Sequence, residues 1–325
     1  MFSTALNQFF QSINNEVLQA ISELMDILNQ DLFFFVIFIA FIFGIDFKRG
    51  FLMIHAFFWT IVVTQLLKSW VNLPRPIDID ANLRIISEDI NQIKIPSNAT
   101  NTPVKLNAET VQHARSHYLI SGGFPSAIMA KASLFWLSIW HFYRQNWLLL
   151  SAIIVLFLSA ITSLYFGENF GIDILAGVIL GISIYFIVFR LLYKAPRLEE
   201  FAQKPRHGFI TPWKAFGRIL YFFIIPSLLL LIPQIDMNIV AKLIGLNLAY
   251  YLIGIKRWPK NGGTTFQRML RVLLSVSIFV VINLITAQFT VVDYSLKYFL
   301  TNLFEMYLSI HLSVWLCRRF GLYKK

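Results

Sequence analysis

This chain has few charged residues and a single cysteine. Only 14% of its 325 residues are Asp, Glu, Lys or Arg, whereas 57% are apolar and 16% are aromatic. Soluble domains carry about 25% charged residues, so this composition excludes an ordinary soluble domain. Apolar runs long enough to cross a bilayer recur along the sequence. We therefore predict a polytopic membrane protein.

The lone cysteine, Cys317, excludes an intramolecular disulfide and any metal site built from several cysteines. It lies in an apolar run, where a free thiol usually packs as a small apolar group. The N-terminal stretch has no Lys or Arg before the first apolar run, and it has no small-residue cleavage site. We therefore expect no cleaved signal peptide.

The apolar runs predict an all-α fold, a transmembrane helical bundle of about nine spans. These spans lie at roughly 32–45, 51–72, 121–142, 147–163, 172–192, 217–233, 238–255, 267–288 and 298–317. Residues 1–30 instead place apolar side chains at helical spacing with polar ones between them. That pattern predicts an amphipathic helix, either lying along the membrane interface or packed over the bundle.

The formal net charge of +11 does not indicate a nucleic-acid partner, because the basic residues are distributed by side of the membrane. Most fall in one alternate set of connections and in the C-terminal tail. The positive-inside rule places that set in the cytoplasm. We expect the N-terminus and the polar 74–118 loop outside, the C-terminus inside, and a bacterial inner membrane as the location.

Three segments carry candidate chemistry, and the first is Lys68-x6-Arg75-Pro76 at the end of the second predicted span. Pro74 and Pro76 stop the helix there. Lys68, as a point charge, and Arg75, through its planar fork, can face the same anion. The alternative is that both side chains only extend to lipid headgroups.

The second segment runs from Gly123 through Pro125 and Ser126, and it predicts a helix that begins at Pro125. Free N–H groups at that start, together with the Ser126 hydroxyl, form a potential anion site. In the third segment, Asn169 and Asp173 are spaced i and i+4, which allows an amide-to-carboxylate hydrogen bond on one helical face.

Together these segments resemble the three motifs of the type 2 phosphatidic acid phosphatase superfamily: Lys-x6-Arg-Pro, Phe-Pro-Ser-Gly-His-Ala and Ser-Arg-x5-His-x3-Asp. In that family the third-motif histidine attacks phosphorus, its aspartate orients the ring, and the second-motif histidine protonates the leaving group. Four family positions are kept here, Lys68, Arg75, Ser126 and Asp173, and three are replaced, by Ile128, Ser163 and Asn169.

The replacements imply a scaffold that has lost its catalytic groups. An Asn amide is not a nucleophile, and the side chain that replaces the second-motif histidine does not titrate. The resemblance implies a pseudo-phosphatase that binds a lipid phosphate or related anion on its outward face without phosphohistidine turnover. Lys68, Arg75 and Ser126 would hold the anion over a floor of Asn169 and Asp173. No cofactor or metal is expected.

An active enzyme stays open as an alternative. A lipid phosphatase or phosphotransferase with a rewired site would use Glu168, Asp173 or loop histidines, and would hydrolyse phosphoric monoesters or diphosphates of lipids. Glu109, His113 and His117 fall at i, i+4 and i+8 in the loop, a spacing that puts two imidazoles and a carboxylate on one helical face. A polar helix face is the simpler interpretation.

Two further alternatives concern transport and assembly. A lipid transporter would line its path with the intramembrane charges Lys131, Lys242 and Glu305. A scaffold would turn the cations of the first motif to lipid. The expected partners are membrane lipids and a protein bound through the last four spans, with no nucleic acid.

The predicted organisation follows the composition. We expect four parts: an amphipathic helix (1–30), a phosphatase-like core (31–193), a basic cytoplasmic connector (194–216) and an appended transmembrane bundle (217–325).

Overall fold

The computed structural model describes residues 3–13, 15–80, 82–83, 122–192, 217, 219–255, 258–259, 262–289 and 296–323. All regular structure in these residues is helical, which confirms the predicted all-α class. Most of the predicted outward loop, including Glu109, His113 and His117, lies outside the described residues. The connector 194–216 does so as well.

Eight α-helices follow one another in the described residues up to 192: α1 (Ala5–Ile13), α2 (Glu16–Asn29), α3 (Asp31–Gly44), α4 (Phe47–Val71), α5 (Pro76–Ile79), α6 (Ala127–Tyr143), α7 (Asn146–Tyr165) and α8 (Gly171–Phe186). The last continues into π-helical turns at Ile187–Leu192. The rest of the described chain contains the helical run α9 (Leu220–Leu231) and three helices, α10 (Met237–Ile255), α11 (Thr265–Ala287) and α12 (Leu296–Arg319).

Local sequence explains where several helices begin and end. The Asn15 side chain caps α2 by accepting a hydrogen bond from the Leu18 N–H at 2.7 Å. Asn72 follows α4 with a φ of 45°, and Arg144 follows α6 with a φ of 54°. A left-handed residue at this position turns the chain out of a helix.

Each predicted span coincides with a helix or helical run, but the count of nine spans is not confirmed. Five helical segments in the described residues have the length and hydropathy needed to cross a membrane: Phe47–Ile79, Asn146–Tyr165, Gly171–Phe189, Met237–Ile255 and Thr265–Ala287. A sixth is obtained if α2 and α3, bent by 55° at their junction, form one span. The chain therefore has the helices of a polytopic membrane protein.

The residues cluster into two compact units. The first comprises Met1–Phe33 and Trp59–Phe186, and the second comprises Phe34–Phe58 and Ile187–Lys325. Helices α3 and α4 thus each contribute residues to both units. The division into 1–30, 31–193, 194–216 and 217–325 stays a prediction.

In the first unit, the N-terminal amphipathic region is two helices, α1 and α2, and their polar side faces inward. Asn7 and Ser22 are fully buried. In contrast, Leu6, Phe9 and Val17 are more than half exposed. Because hydrocarbon cannot hydrogen-bond to polar groups, this orientation suits helices whose outer face meets lipid. The predicted packing over the bundle therefore occurs through the polar face.

The second unit has an aromatic core. Phe35 contacts Phe57 and Phe58, with ring centroids 5.7 and 5.4 Å apart, and it also approaches Phe279 of α11. Helix α12 packs against both α10 and α11. These contacts bury apolar surface within the unit and give it a core of its own.

Candidate functional site

Lys68, in the last turn of α4, reaches the chain segment that precedes the second motif. Its ammonium group donates a hydrogen bond to the carbonyl of Gly122. The backbone N–H of Gly123 donates to the Leu73 carbonyl at 2.7 Å. The first two motifs are therefore held together by a side chain and by the backbone.

Gly123 lies where all three motifs meet. A Cβ atom at this position would lie 3.1 Å from Asp173 Oδ2, 3.2 Å from the Pro74 carbonyl oxygen and 3.5 Å from Arg75 Cα. Such contacts are tight, so a glycine lets the three segments approach this closely. The structure thus brings the backbone of Arg75 and the carboxylate of Asp173 close to the same glycine.

Arg75 precedes the short helix α5 and is a partly exposed residue. Its backbone N–H donates to Asp78 Oδ2 at 2.9 Å. Within α5, the Ile77 N–H donates to the Gly167 carbonyl at 3.1 Å. This bond places Glu168, the next residue, beside the first motif.

Ser126 is fully buried and caps helix α6, which begins at Ala127 and not at Pro125 as predicted. Its Oγ accepts a hydrogen bond from the Met129 N–H at 3.4 Å, and its own N–H donates to the Asp173 carbonyl at 3.0 Å. The hydroxyl proton can still be donated to a ligand. Ser126 therefore joins the second motif to the third while capping its helix.

The replaced third-motif positions pair with each other. Asn169 Nδ2 donates to Ser163 Oγ at 3.1 Å, and both residues are buried. The predicted bond from Asn169 to Asp173 is replaced by one from the Phe170 N–H to Asp173 Oδ2, at 2.8 Å. Asn169 precedes α8, so the i, i+4 geometry of a helix does not apply to it.

The charged groups of the three motifs influence one another. The Lys68 ammonium interacts electrostatically with Asp173 and Glu168 as opposite charges and with Arg75 as a like charge. Asp173 is fully buried, and its Oδ1 has no hydrogen-bond partner among the described residues. Lys131 also acts on Lys68 as a like charge, so three cations and two carboxylates share this region.

Helix α1 holds the third motif in place, a role that the polar spacing of residues 1–30 could have suggested. Asn7 Nδ2 donates to the Leu164 carbonyl at 2.9 Å and to the Asn169 carbonyl at 3.2 Å. Gln11 donates to the Tyr165 carbonyl at 2.8 Å. These bonds satisfy carbonyls that the end of α7 leaves without helical partners.

Replacing Asn7 with Leu is expected to lower the stability of the first unit by about 1–3 kcal/mol, because the Asn169 carbonyl loses its Asn7 donor and the Leu164 carbonyl keeps only its bond from the Gly167 N–H and the cap bond from Phe166. The expected readout is a lower midpoint of thermal unfolding in detergent micelles. Ser12→Ala is the matched control, since Ser12 is exposed on the same helix and its hydroxyl donates to the nearby Phe9 carbonyl. Equal midpoints for the two variants would contradict the clamping role.

The intramembrane charges expected of a transporter are paired in the structure. Lys131 Nζ contacts Asp31 Oδ1, and Lys242 Nζ lies 3.0 Å from Glu305 Oε1. A cavity of about 550 Å³ lies in the second unit, and none of the residues that line it belongs to the three motifs. The described residues contain no group of three His, Cys, Asp or Glu side chains arranged to hold a metal ion.

Comparison with known proteins agrees with the motifs. Residues 49–197 match the PAP2 superfamily, and all three motifs lie within that range. No curated protein and no solved structure gives a significant match. The matching segment, the helical fold and the convergence of the three motifs agree with one another: residues 49–197 of this membrane protein are similar to the PAP2 superfamily.

Proposed function

We propose that the chain is a pseudo-phosphatase that binds a lipid phosphate or related anion without phosphohistidine turnover. The observation that carries this proposal is the convergence of Lys68 and Arg75 on Gly122 and Gly123, at the carboxylate of Asp173. A paired ammonium and guanidinium suit the oxygens of a phosphate group. The start of α6, capped by Ser126 in the second motif, adds backbone N–H groups to the proposed site.

The same geometry argues against turnover. The residue at the nucleophile position, Asn169, is an amide bonded to Ser163. Ile128, at the position of the general acid, has no proton to give. A general acid or base contributes about 10²- to 10⁴-fold, so losing this group together with the nucleophile leaves little rate.

A rewired phosphatase is the second candidate, and one observation favours it. Glu168 lies beside the first motif and acts electrostatically on Lys68. A carboxylate at such a place can serve as a general base for water. Hydrolysis that depends on Glu168 would distinguish this candidate from the pseudo-phosphatase.

Orientation follows the charge distribution. We place the N-terminus and the 74–118 loop outside and the C-terminus in the cytoplasm of a bacterial inner membrane, since basic connections favour the inner side. Lys68 and Arg75 then face outward. Contacts with a protein partner are assigned to the last four predicted spans.

Arg75→Ala is expected to weaken binding of short-chain phosphatidic acid at least tenfold, because the variant removes the bidentate donor of the site. The measurement is ligand binding to purified protein in neutral detergent, with released phosphate followed in the same samples. Wild-type protein is expected to bind without releasing phosphate.

Arg49→Ala is the matched control, since Arg49 stands near the start of α4, far along the helix from Lys68, and pairs with Asp46. An equal loss of binding in the Arg75→Ala and Arg49→Ala variants would contradict a specific anion site at Arg75. Protein-dependent phosphate release would overturn the pseudo-phosphatase and direct attention to Glu168.

A further inference from the structure

The charge balance of the site sets a limit on its ligand. Lys68 and Arg75 supply two positive charges, and Asp173 and Glu168 supply two negative ones; a third cation that acts on Lys68, Lys131, is paired with Asp31. Where the family carries an arginine and two histidines, this chain has Ser163, Asn169 and Ile128. The replacements remove up to three positive charges from the site and leave its carboxylates in place.

Backbone geometry, and not charge alone, keeps the two carboxylates near the cations. Asp173 Oδ2 and the Arg75 Cα atom both lie close to Gly123, 3.1 and 3.5 Å from where a Cβ atom would stand there. Glu168 is brought to the first motif by the hydrogen bond between Ile77 N–H and the Gly167 carbonyl. A bond from the Glu168 N–H to the Ser163 carbonyl, at 3.1 Å, fixes the backbone of the same turn.

A phosphomonoester suits this site poorly. It carries close to two negative charges at neutral pH, and it would meet two carboxylates as well as two cations. Like charges in a partly desolvated site repel at considerable cost. A ligand that carries one negative and one positive charge would match all four groups.

We propose that the site takes a zwitterionic headgroup, a phosphodiester joined to an ammonium group, in preference to a phosphomonoester. The phosphodiester oxygens are assigned to Lys68 and Arg75. The ammonium group is assigned to Glu168 and to the Oδ1 atom of Asp173, which has no partner among the described residues. This inference rests on the proposed function and names the ligand class of the same site.

Four probes in neutral detergent, added to the full-length protein, test the preference: dioctanoyl phosphatidylethanolamine, dioctanoyl phosphatidylcholine, dioctanoyl phosphatidic acid and soluble glycerophosphoethanolamine, which is a zwitterionic phosphodiester without acyl chains. The two zwitterionic lipids are expected to bind at least tenfold more tightly than phosphatidic acid. Binding of glycerophosphoethanolamine as tight as that of the lipids would identify a soluble source for the headgroup, and weaker binding would identify the lipid.

The Glu168→Gln variant tests the assignment of the ammonium. It is expected to weaken binding of the zwitterionic lipids about tenfold and to leave or improve binding of phosphatidic acid. Glu23→Gln is the control, since Glu23 is an exposed carboxylate of α2 in the same unit. If the Glu168 variant folds poorly, the comparison of zwitterionic lipids with phosphatidic acid on the unchanged protein still tests the proposed ligand class.

The outcomes separate the two proposals. Tighter binding of phosphatidic acid that depends on Arg75 would overturn the zwitterionic preference and leave the proposed function standing. Absence of Arg75-dependent binding for all four probes would overturn both. Equal effects of the Glu168 and Glu23 variants would overturn the ammonium assignment.

Discussion

Replacing Lys242 with Met is expected to destabilise the second unit by about 3–5 kcal/mol, because the change leaves a buried carboxylate without its cation. Glu305 is 3% exposed, and its Oε1 lies 3.0 Å from Lys242 Nζ. Asn283 and Thr286 also donate to this carboxylate, at 3.2 and 3.4 Å. Two neutral donors compensate only part of a buried negative charge.

The double variant Lys242→Met/Glu305→Leu is expected to be more stable than either single variant, since an apolar pair can replace a buried ion pair with little loss. Thermal unfolding in detergent, compared across the three variants and the unchanged protein, measures the coupling. Lys297→Met, at an exposed position of α12, is the matched control. Additive losses in the double variant would show that the two charges do not depend on each other.

Replacing Gly181 with Val is expected to cost the first unit about 3 kcal/mol or more, at the upper end of overpacking effects. A Cβ atom there would lie 2.1 Å from Ser133 Oγ and 2.4 Å from the Ala130 carbonyl oxygen on α6. One turn earlier, a Cβ at Gly177 would lie 2.4 Å from the Ser126 carbonyl oxygen. Because α6 and α8 touch through backbone, any side chain must push the helices apart.

The same displacement would move Ser126 away from Asp173, so the Gly181 variant is expected to lose ligand binding as well as stability. The measurements are thermal unfolding and the binding assay on the fraction that remains folded. Ile179→Val is the control, since this side chain of α8 is 63% exposed and its truncation leaves the helix contact intact. A Gly181 variant as stable as this control would contradict the close packing.

Much of the fold followed from local signals. Each apolar run that was predicted as a span coincides with a helix or helical run. The reason is that a helix is the usual way for a chain to satisfy its backbone polar groups in a bilayer. Spacing also identified the three motifs, which lie within the segment matched to the PAP2 superfamily. The break after α4 followed from Pro74 and Pro76, since proline cannot continue a helix.

Other features depended on contacts between distant segments. Asp173 caps the turn at Phe170, and Asn169 bonds to Ser163, because α8 begins at Gly171. Spacing alone could not locate that start to within two residues. The inward orientation of the polar face of α1 likewise could not be predicted without the positions of the carbonyls at the end of α7.

The sequence by itself determined that this protein is a helical membrane protein and that its residues 49–197 match the PAP2 superfamily. Only the tertiary structure decided that Lys68 and Arg75 meet Asp173 and Glu168 at one place, and that Lys131, Lys242 and Glu305 are paired. Helix formation and residue identity are local properties of the chain. Charge pairing and ligand geometry depend on which distant segments pack together, and packing is settled by the whole fold.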